Sequence, residues 1–172
     1  LEVEIKAAQG KPLNPDAATD EDIRLIALGG IVKTEPDKAL PYLEKMVLGS
    51  GSPKVKEEAM FLLARTGSPK AKETILRLAR NGNPDIQVKA INSFRKMDPK
   101  ESQPVLAQLY GEAGSKEVKQ HVLGALYDAQ AARELINIAR KESDVELKKR
   151  AVRYLTNLRT KEANDFLLEL VK

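Results

Sequence analysis

The feature that most constrains this chain is an internal repeat of about 30 residues that runs through nearly all of it. Aligning the chain with itself places one column of apolar residues at spacings of 32, 31, 32 and 29: Ile23, Val55, Ile86, Val118 and Leu147. Apolar or small residues follow each of these at four, five and eight positions further on, which is one face of an α-helix repeated five times. A repeat of this length predicts an array in which each unit buries its apolar face against its neighbours.

Each of these helices is predicted to begin three residues before its first apolar position, at a residue that can cap a helix. The five predicted caps are Asp20, Ser52, Asn83, Ser115 and Asp144. Their side-chain oxygens can accept hydrogen bonds from the unpaired N–H groups of a first helical turn. Pro53 and Pro84 follow two of the caps, at the helical position where proline is best tolerated.

A second helix is predicted in every repeat from a column of large apolar residues. A column of small residues lies four positions before it. The large residues are Leu43, Ile75, Leu106, Leu135 and Leu167, and the small ones are Ala39, Ala71, Ser102, Ala131 and Ala163. Small residues let two helix backbones approach closely, which favours an antiparallel helix pair.

Repeat four is three residues shorter between its helices, and we predict that the turn around residues 127–130 is shortened. In the last repeat, Leu170 and Val171 occupy the apolar positions after the large residue.

These patterns predict an all-α fold, a right-handed α-solenoid of about five antiparallel helix pairs, with the repeat array over residues 19–172. The predicted repeats are 20–51, 52–82, 83–114, 115–143 and 144–172. Residues 1–18 do not follow the repeat, and we expect the end of an upstream helix and a proline-containing linker there. The last helix lacks a polar outer face, so we expect either that the array continues beyond Lys172 or that ends of two chains associate.

One motif identifies the type of repeat: an apolar residue, a basic residue, two variable residues, alanine, an apolar residue, two variable residues and leucine. It occurs at 55–63 and again at 147–155. The motif resembles the short bacterial HEAT-like repeat of phycobiliprotein lyases, whereas the signatures of tetratricopeptide and ankyrin repeats are absent. The basic position is occupied by Arg24, Lys56, Lys119 and Lys148, and Gln87 departs from it. The resemblance implies a binding or scaffolding protein whose second helices line a concave surface.

Composition excludes several kinds of chemistry. The chain has no cysteine, no tryptophan and one histidine, so disulfides, thiol catalysis and sites rich in cysteine or histidine are excluded. His121 stands beside a core position and is expected to be at least half-exposed. The four tyrosines, Tyr42, Tyr110, Tyr127 and Tyr154, are expected to be half-buried at the edges of the core. No group of residues is suited to covalent, acid–base or metal chemistry, so we predict no enzymatic activity, no cofactor and no metal.

The best candidate for a binding surface is a group of polar residues on the exposed side of the second helices. Its members are Arg77, Arg80, Arg133, Asn137 and Arg140. Arginine binds carboxylates in a bidentate manner and is common in interface hot spots. The alternative is that these residues lie on solvated helix faces. Arg80 and Arg140, near the ends of their helices, would then interact favourably with the helix dipole. Nucleic-acid binding is not predicted, because the third repeat interrupts the basic stripe and the fifth is acidic.

The sequence therefore predicts a protein–protein interaction scaffold that presents a curved surface to a protein or peptide. A structural spacer within a larger protein is the first alternative, and an accessory subunit resembling a bilin lyase is a second, which only the resemblance supports. No stretch of the chain approaches the length of apolar residues that a membrane span needs. The sequence identifies neither the partner nor the compartment.

Overall fold

A computed structural model describes the backbone of residues 15–172 and the side chains from Asp20 onward, and over this range the chain forms ten α-helices and no strand. The helices are α1 (Pro15–Thr34), α2 (Pro36–Leu48), α3 (Pro53–Arg65), α4 (Pro69–Asn81), α5 (Pro84–Ser93), α6 (Pro99–Glu112), α7 (Lys116–Asp128), α8 (Ala132–Lys141), α9 (Val145–Leu158) and α10 (Lys161–Leu170). A 3₁₀ turn, Phe94–Lys96, follows α5. No described helix is both long enough and apolar enough to cross a bilayer. The upstream helix end and linker were predicted for residues 1–18; residues 1–14 lie outside the described part of the chain, and residues 15–18 belong to α1.

The helices form two layers, which confirms the predicted all-α array of helix pairs. In four of the five pairs, the odd-numbered helix packs against the even-numbered helix that follows it, and in the third pair the 3₁₀ turn Phe94–Lys96 makes this contact with α6. Each odd-numbered helix also packs against the next odd-numbered helix, and each even-numbered helix contacts the next even-numbered one. Every internal helix pair is thus covered on both sides by its neighbours, as expected of a repeat array.

Four of the five predicted caps are confirmed. The side chains of Ser52, Asn83, Ser115 and Asp144 each accept a hydrogen bond from the backbone amide three residues later, at 3.3, 3.0, 3.1 and 3.0 Å. Asp20 is the exception, because α1 begins at Pro15 and Asp20 lies within the helix. Proline fits a first helical turn, and the alanines at 17 and 18 continue the helix toward Asp20.

The shortening of repeat four is not in its turn, contrary to the prediction. Three residues, 129–131, separate α7 from α8, and three residues, 66–68, separate α3 from α4. The middle residue of each turn has a left-handed backbone, with φ of 55° at Gln130 and 64° at Gly67. The missing residues come from the first turn of the second helix, since Leu135 is the fourth residue of α8 whereas Ile75 is the seventh of α4.

A continuous apolar core runs from Leu28 to Phe166 between the two layers. The predicted column of small residues is buried in all five repeats, and so are four of the five large residues that follow it. The fifth, Leu167, is half-buried, and Phe166 beside it is buried instead.

The two ends of the array depart from the predicted core. In α1 the predicted core residues Ile23, Ala27 and Ile31 are exposed, although the equivalent residues of the other repeats are buried. Leu170 and Val171 are exposed at the other end. The reason is the same at both ends: within residues 20–172, nothing packs over these faces.

Candidate partner-binding surface

The structure divides the five candidate residues into two groups. Arg77 and Arg80 lie on α4, whereas Arg133, Asn137 and Arg140 lie on α8, and α6 stands between these two helices. The candidate residues therefore share the layer of even-numbered helices without forming one cluster.

Each of the four arginines is paired with a glutamate on a neighbouring even-numbered helix. Arg77 pairs with Glu44 of α2. Arg80 holds Glu112 of α6 in a bidentate manner, with Nε 2.6 Å from Oε2 and Nη2 3.3 Å from Oε1. These two hydrogen bonds, with one from Gln108, lower the pKa of Glu112. The arginines on α4 thus join repeat two to the repeats on both sides.

The arginines on α8 make the same kind of contact with α10. Arg140 Nη2 lies 2.7 Å from Glu169 Oε2, and Arg133 Nε lies 3.7 Å from Glu162 Oε1. All of these pairs are partly solvated, so water screens them and each contributes little to stability. Sequence reasoning missed the pairs because the acidic partners lie about 30 residues away, and only the stacking of repeats brings them together.

A groove between α6 and α8 interrupts this row of ion pairs. It has a volume of about 750 Å³, and Asn137 and Ile138 of α8 line one side. The side formed by α6 is lined by Tyr110 and by the smaller residues Pro104, Ala107 and Gly111. A Cβ atom added to Gly111 would meet no atom within 4 Å. Among the described residues, no ion pair joins α6 to α8, so this groove is the open part of the surface.

A buried hydrogen-bond network lies at the base of the groove. Glu142, which follows α8, has a side chain only 7% exposed. Its Oε2 accepts a hydrogen bond of 2.5 Å from the Tyr110 hydroxyl and one of 3.2 Å from Lys119 Nζ. Its Oε1 accepts one of 2.9 Å from the backbone amide of Asp144. The carboxylate therefore connects α6, α7 and the start of α9.

The network shifts the pKa values of both acidic groups. The hydrogen bond from Tyr110, then that from the Asp144 amide, lowers the pKa of Glu142 to about 2, and Lys119 adds to the effect. Burial, together with the hydrogen bond to Glu142, raises the pKa of the Tyr110 hydroxyl. The prediction that Tyr110 is half-buried was wrong, because Lys119, at 5.0 Å from its ring centroid, and the following repeat cover it.

The lowered pKa of Glu142 predicts a pH dependence of stability. Its carboxyl binds protons less well in the folded chain, at about 2, than in the unfolded chain, at 4.5. The stability it contributes, on the order of 2–3 kcal/mol, should be complete above about pH 5 and should be lost as the pH falls toward 2. Urea unfolding of the wild type and Glu142→Ala at about pH 6 and pH 3 tests this. The difference between their free energies of unfolding should be smaller at pH 3 than at pH 6. A difference that widens in acid would contradict the assignment.

Other singled-out residues have structural roles. Gln87, where the basic motif position is interrupted, donates hydrogen bonds of 3.0 and 2.9 Å to the carbonyl oxygens of Ala79 and Arg80, at the end of α4. Tyr127 and Tyr154 stack, with ring centroids 4.8 Å apart. His121 is half-exposed, as predicted. Within residues 20–172, no three histidine, aspartate or glutamate side chains converge to form a metal site.

Comparisons with known proteins agree with the observed helix pairs. A family model described as HEAT repeats matches residues 40–127. Eight chains of solved structures match, among them a chain from the structure of the complex of CpcE and CpcF of phycocyanin lyase from Nostoc sp. PCC7120. That chain is 17% identical with a TM-score of 0.46, over 94% of this chain and 71% of the other. No curated protein matches significantly. Because the family model matches just over half of the residues, the chain belongs to the family of HEAT-repeat proteins.

Proposed function

We propose that this chain is a non-catalytic protein–protein interaction scaffold, and that a protein or peptide partner binds in the groove between α6 and α8. The observation that carries the proposal is the contrast along the layer of even-numbered helices. Ion pairs between neighbouring even-numbered helices occupy this surface on both sides of the groove, whereas among the described residues none joins α6 to α8 across it. A segment of about the width of an extended peptide could therefore lie against α6.

The flanking arginines support a partner with acidic side chains beside the groove. Arg80 uses two of its donor nitrogens on Glu112, and Arg140 uses one on Glu169. A guanidinium has five N–H donors, so each arginine keeps donors for a partner carboxylate while its own ion pair remains. Asn137 adds an amide that can donate to and accept from a peptide backbone inside the groove. In this proposal the arginines both hold the array together and flank the binding site.

Gly111→Gln is the variant that tests the groove. The new side chain would extend into open space, and a residue other than glycine also favours the helix, so the fold should be retained. Partner capture from a lysate of the source cells should fall roughly tenfold, which corresponds to about 1.4 kcal/mol of binding energy. Photo-crosslinking from position 107, on the same side of the groove, should yield the same partner.

Gly114→Gln is the matched control. A Cβ at this position also meets nothing within 4 Å, and the residue lies three positions away, outside the residues that line the groove. Capture by this variant should equal that of the wild type. Equal recovery with both variants would exclude the groove and would favour the spacer function instead.

A further inference from the structure

Among residues 20–172, the exposed large apolar side chains are confined to the two ends. In α1 and α2 they are Ile23, Ile26, Ile31, Tyr42 and Leu48, and in α9, α10 and the residue after α10 they are Val145, Leu168, Leu170 and Val171. Ile26 is 77% exposed and Val171 is 80% exposed. No such side chain is found on α3 to α8. Because apolar patches of this kind mark interaction sites, each end requires an explanation.

The groove at the first end is an incomplete copy of an internal one. It has a volume of about 610 Å³ and is lined by Arg24, Leu28, Met46 and Val55, among others. The equivalent internal groove, of about 300 Å³, is lined by Gln87, Ile91, Leu109 and Val118, which occupy the same repeat positions.

The internal groove has one further wall, which no described residue forms at the first end. The end of the preceding even-numbered helix, at Ala79 and Arg80, lines it, and Gln87 donates to the two carbonyl oxygens there. At the first end, Arg24 stands in the position of Gln87. Its guanidinium can donate to helix-end carbonyl oxygens in the same way. The groove is therefore shaped for the last turn of a preceding even-numbered helix.

The chain itself carries such a turn at its other end. Leu170 and Val171 stand three and four positions after Leu167, as Leu78 and Ala79 stand after Ile75. Leu78 and Ala79 are buried by the following repeat, whereas Leu170 and Val171 are exposed. The end of α10 thus presents the apolar positions that internal repeats bury against the repeat after them.

The odd-numbered helices at the two ends carry charges of opposite sign. The exposed apolar patch formed by Val145, Val152 and Leu170 is bordered by Lys148, Lys149 and Arg153. In α1, three consecutive acidic residues, 20–22, precede the exposed isoleucines. Because odd-numbered helices of successive repeats pack against each other, continuation of the array would place α9 against the α1 that follows it. Basic and acidic faces would then meet, which favours this pairing over two like ends.

We propose that a second copy of this chain docks head to tail, with the last turn of α10 in the groove between α1 and α2. The contact would reproduce the internal repeat-to-repeat interface, including Arg24 in the position of Gln87. Such a contact joins two different faces, and contacts of this kind can repeat along a row of copies.

The experiment compares one variant at each end with the wild type in sedimentation equilibrium over a range of concentrations. Ile26→Lys places a positive charge opposite basic α9, and Leu170→Lys places one in the groove beside Arg24 and Lys45. The wild type should associate with increasing concentration, and each variant should weaken association at least tenfold. The decisive sample is the mixture of the two variants, which should form a 1:1 dimer and stop there, since each variant keeps one intact and complementary end.

Gln108→Lys, an exposed change on the central helix α6, is the matched control and should associate as the wild type does. Circular dichroism would establish that each variant folds, and Tyr42→Lys would replace Ile26→Lys if that variant unfolds. A wild type that remains monomeric at high concentration would overturn the proposal, and the first end would then be free or covered by residues 1–14. Association that persists in both variants, or a mixture that stays monomeric, would overturn it as well.

Discussion

Replacing Glu142 with alanine should lower the free energy of unfolding by about 2–4 kcal/mol, although the residue lies outside every helix. Its buried carboxylate is the shared acceptor for Tyr110, Lys119 and the Asp144 amide. Without it, a buried hydroxyl and a largely buried ammonium lose their partner, which costs more than the loss of an exposed ion pair. Urea unfolding near neutral pH, followed by circular dichroism, measures the difference.

Glu112→Ala is the control that isolates the effect of burial. Glu112 also accepts hydrogen bonds from two side chains, Arg80 and Gln108, but it is exposed. Solvent screens such a pair, so its loss should cost clearly less than the loss of Glu142. Equal destabilisation by the two alanine substitutions would show that the Glu142 network contributes no more than a surface ion pair.

Replacing Phe94 with alanine should cost about 3–5 kcal/mol, the range for a fully buried aromatic side chain. Phe94 is 1% exposed and begins the 3₁₀ turn, which packs against α3, α6 and α7. The cavity would therefore lie at the centre of the array, where repeats two, three and four meet. The stability of a repeat array depends on contacts between neighbouring repeats. The parts of the array on either side of the cavity should therefore unfold less cooperatively, with a shallower urea transition.

Tyr42→Ala is the matched control for Phe94→Ala, since it removes an aromatic ring that is 63% exposed. Its expected cost is less than about 0.5 kcal/mol, and the slope of the transition should not change. A comparable loss from both variants would contradict the position of Phe94 in the core.

Periodicity and capping residues predicted most of the fold. The five-fold apolar column and the caps at Ser52, Asn83, Ser115 and Asp144 depend on interactions within one helix or one turn, and sequence patterns report such interactions directly. The same local reasoning was wrong at Asp20, where the helix begins earlier, and in repeat four, where the helix rather than the turn is shorter.

The candidate surface could be predicted only in part. The sequence indicated which arginines stand on the even-numbered helices, but it could not show that Glu44, Glu112, Glu162 and Glu169 pair with them. It gave no sign of the groove beside Gly111, which forms where the small residues Pro104, Ala107 and Gly111 of α6 face α8. In the sequence, Glu142 looks like an ordinary residue that follows a helix. Only its neighbours in the folded chain make it a buried hydrogen-bond acceptor.

By itself, the sequence determined the all-α class, the helix pairs and the repeat that identifies the family, because each of these is encoded in spacings shorter than about 35 residues. The tertiary structure decided which charges are paired, where the surface is open and which apolar positions remain uncovered at the two ends. These properties depend on distances between residues about 30 positions apart or more, set by how one repeat stacks on the next. How one repeat stacks on the next depends on both of the surfaces in contact, so the sequence pattern of one surface does not determine it.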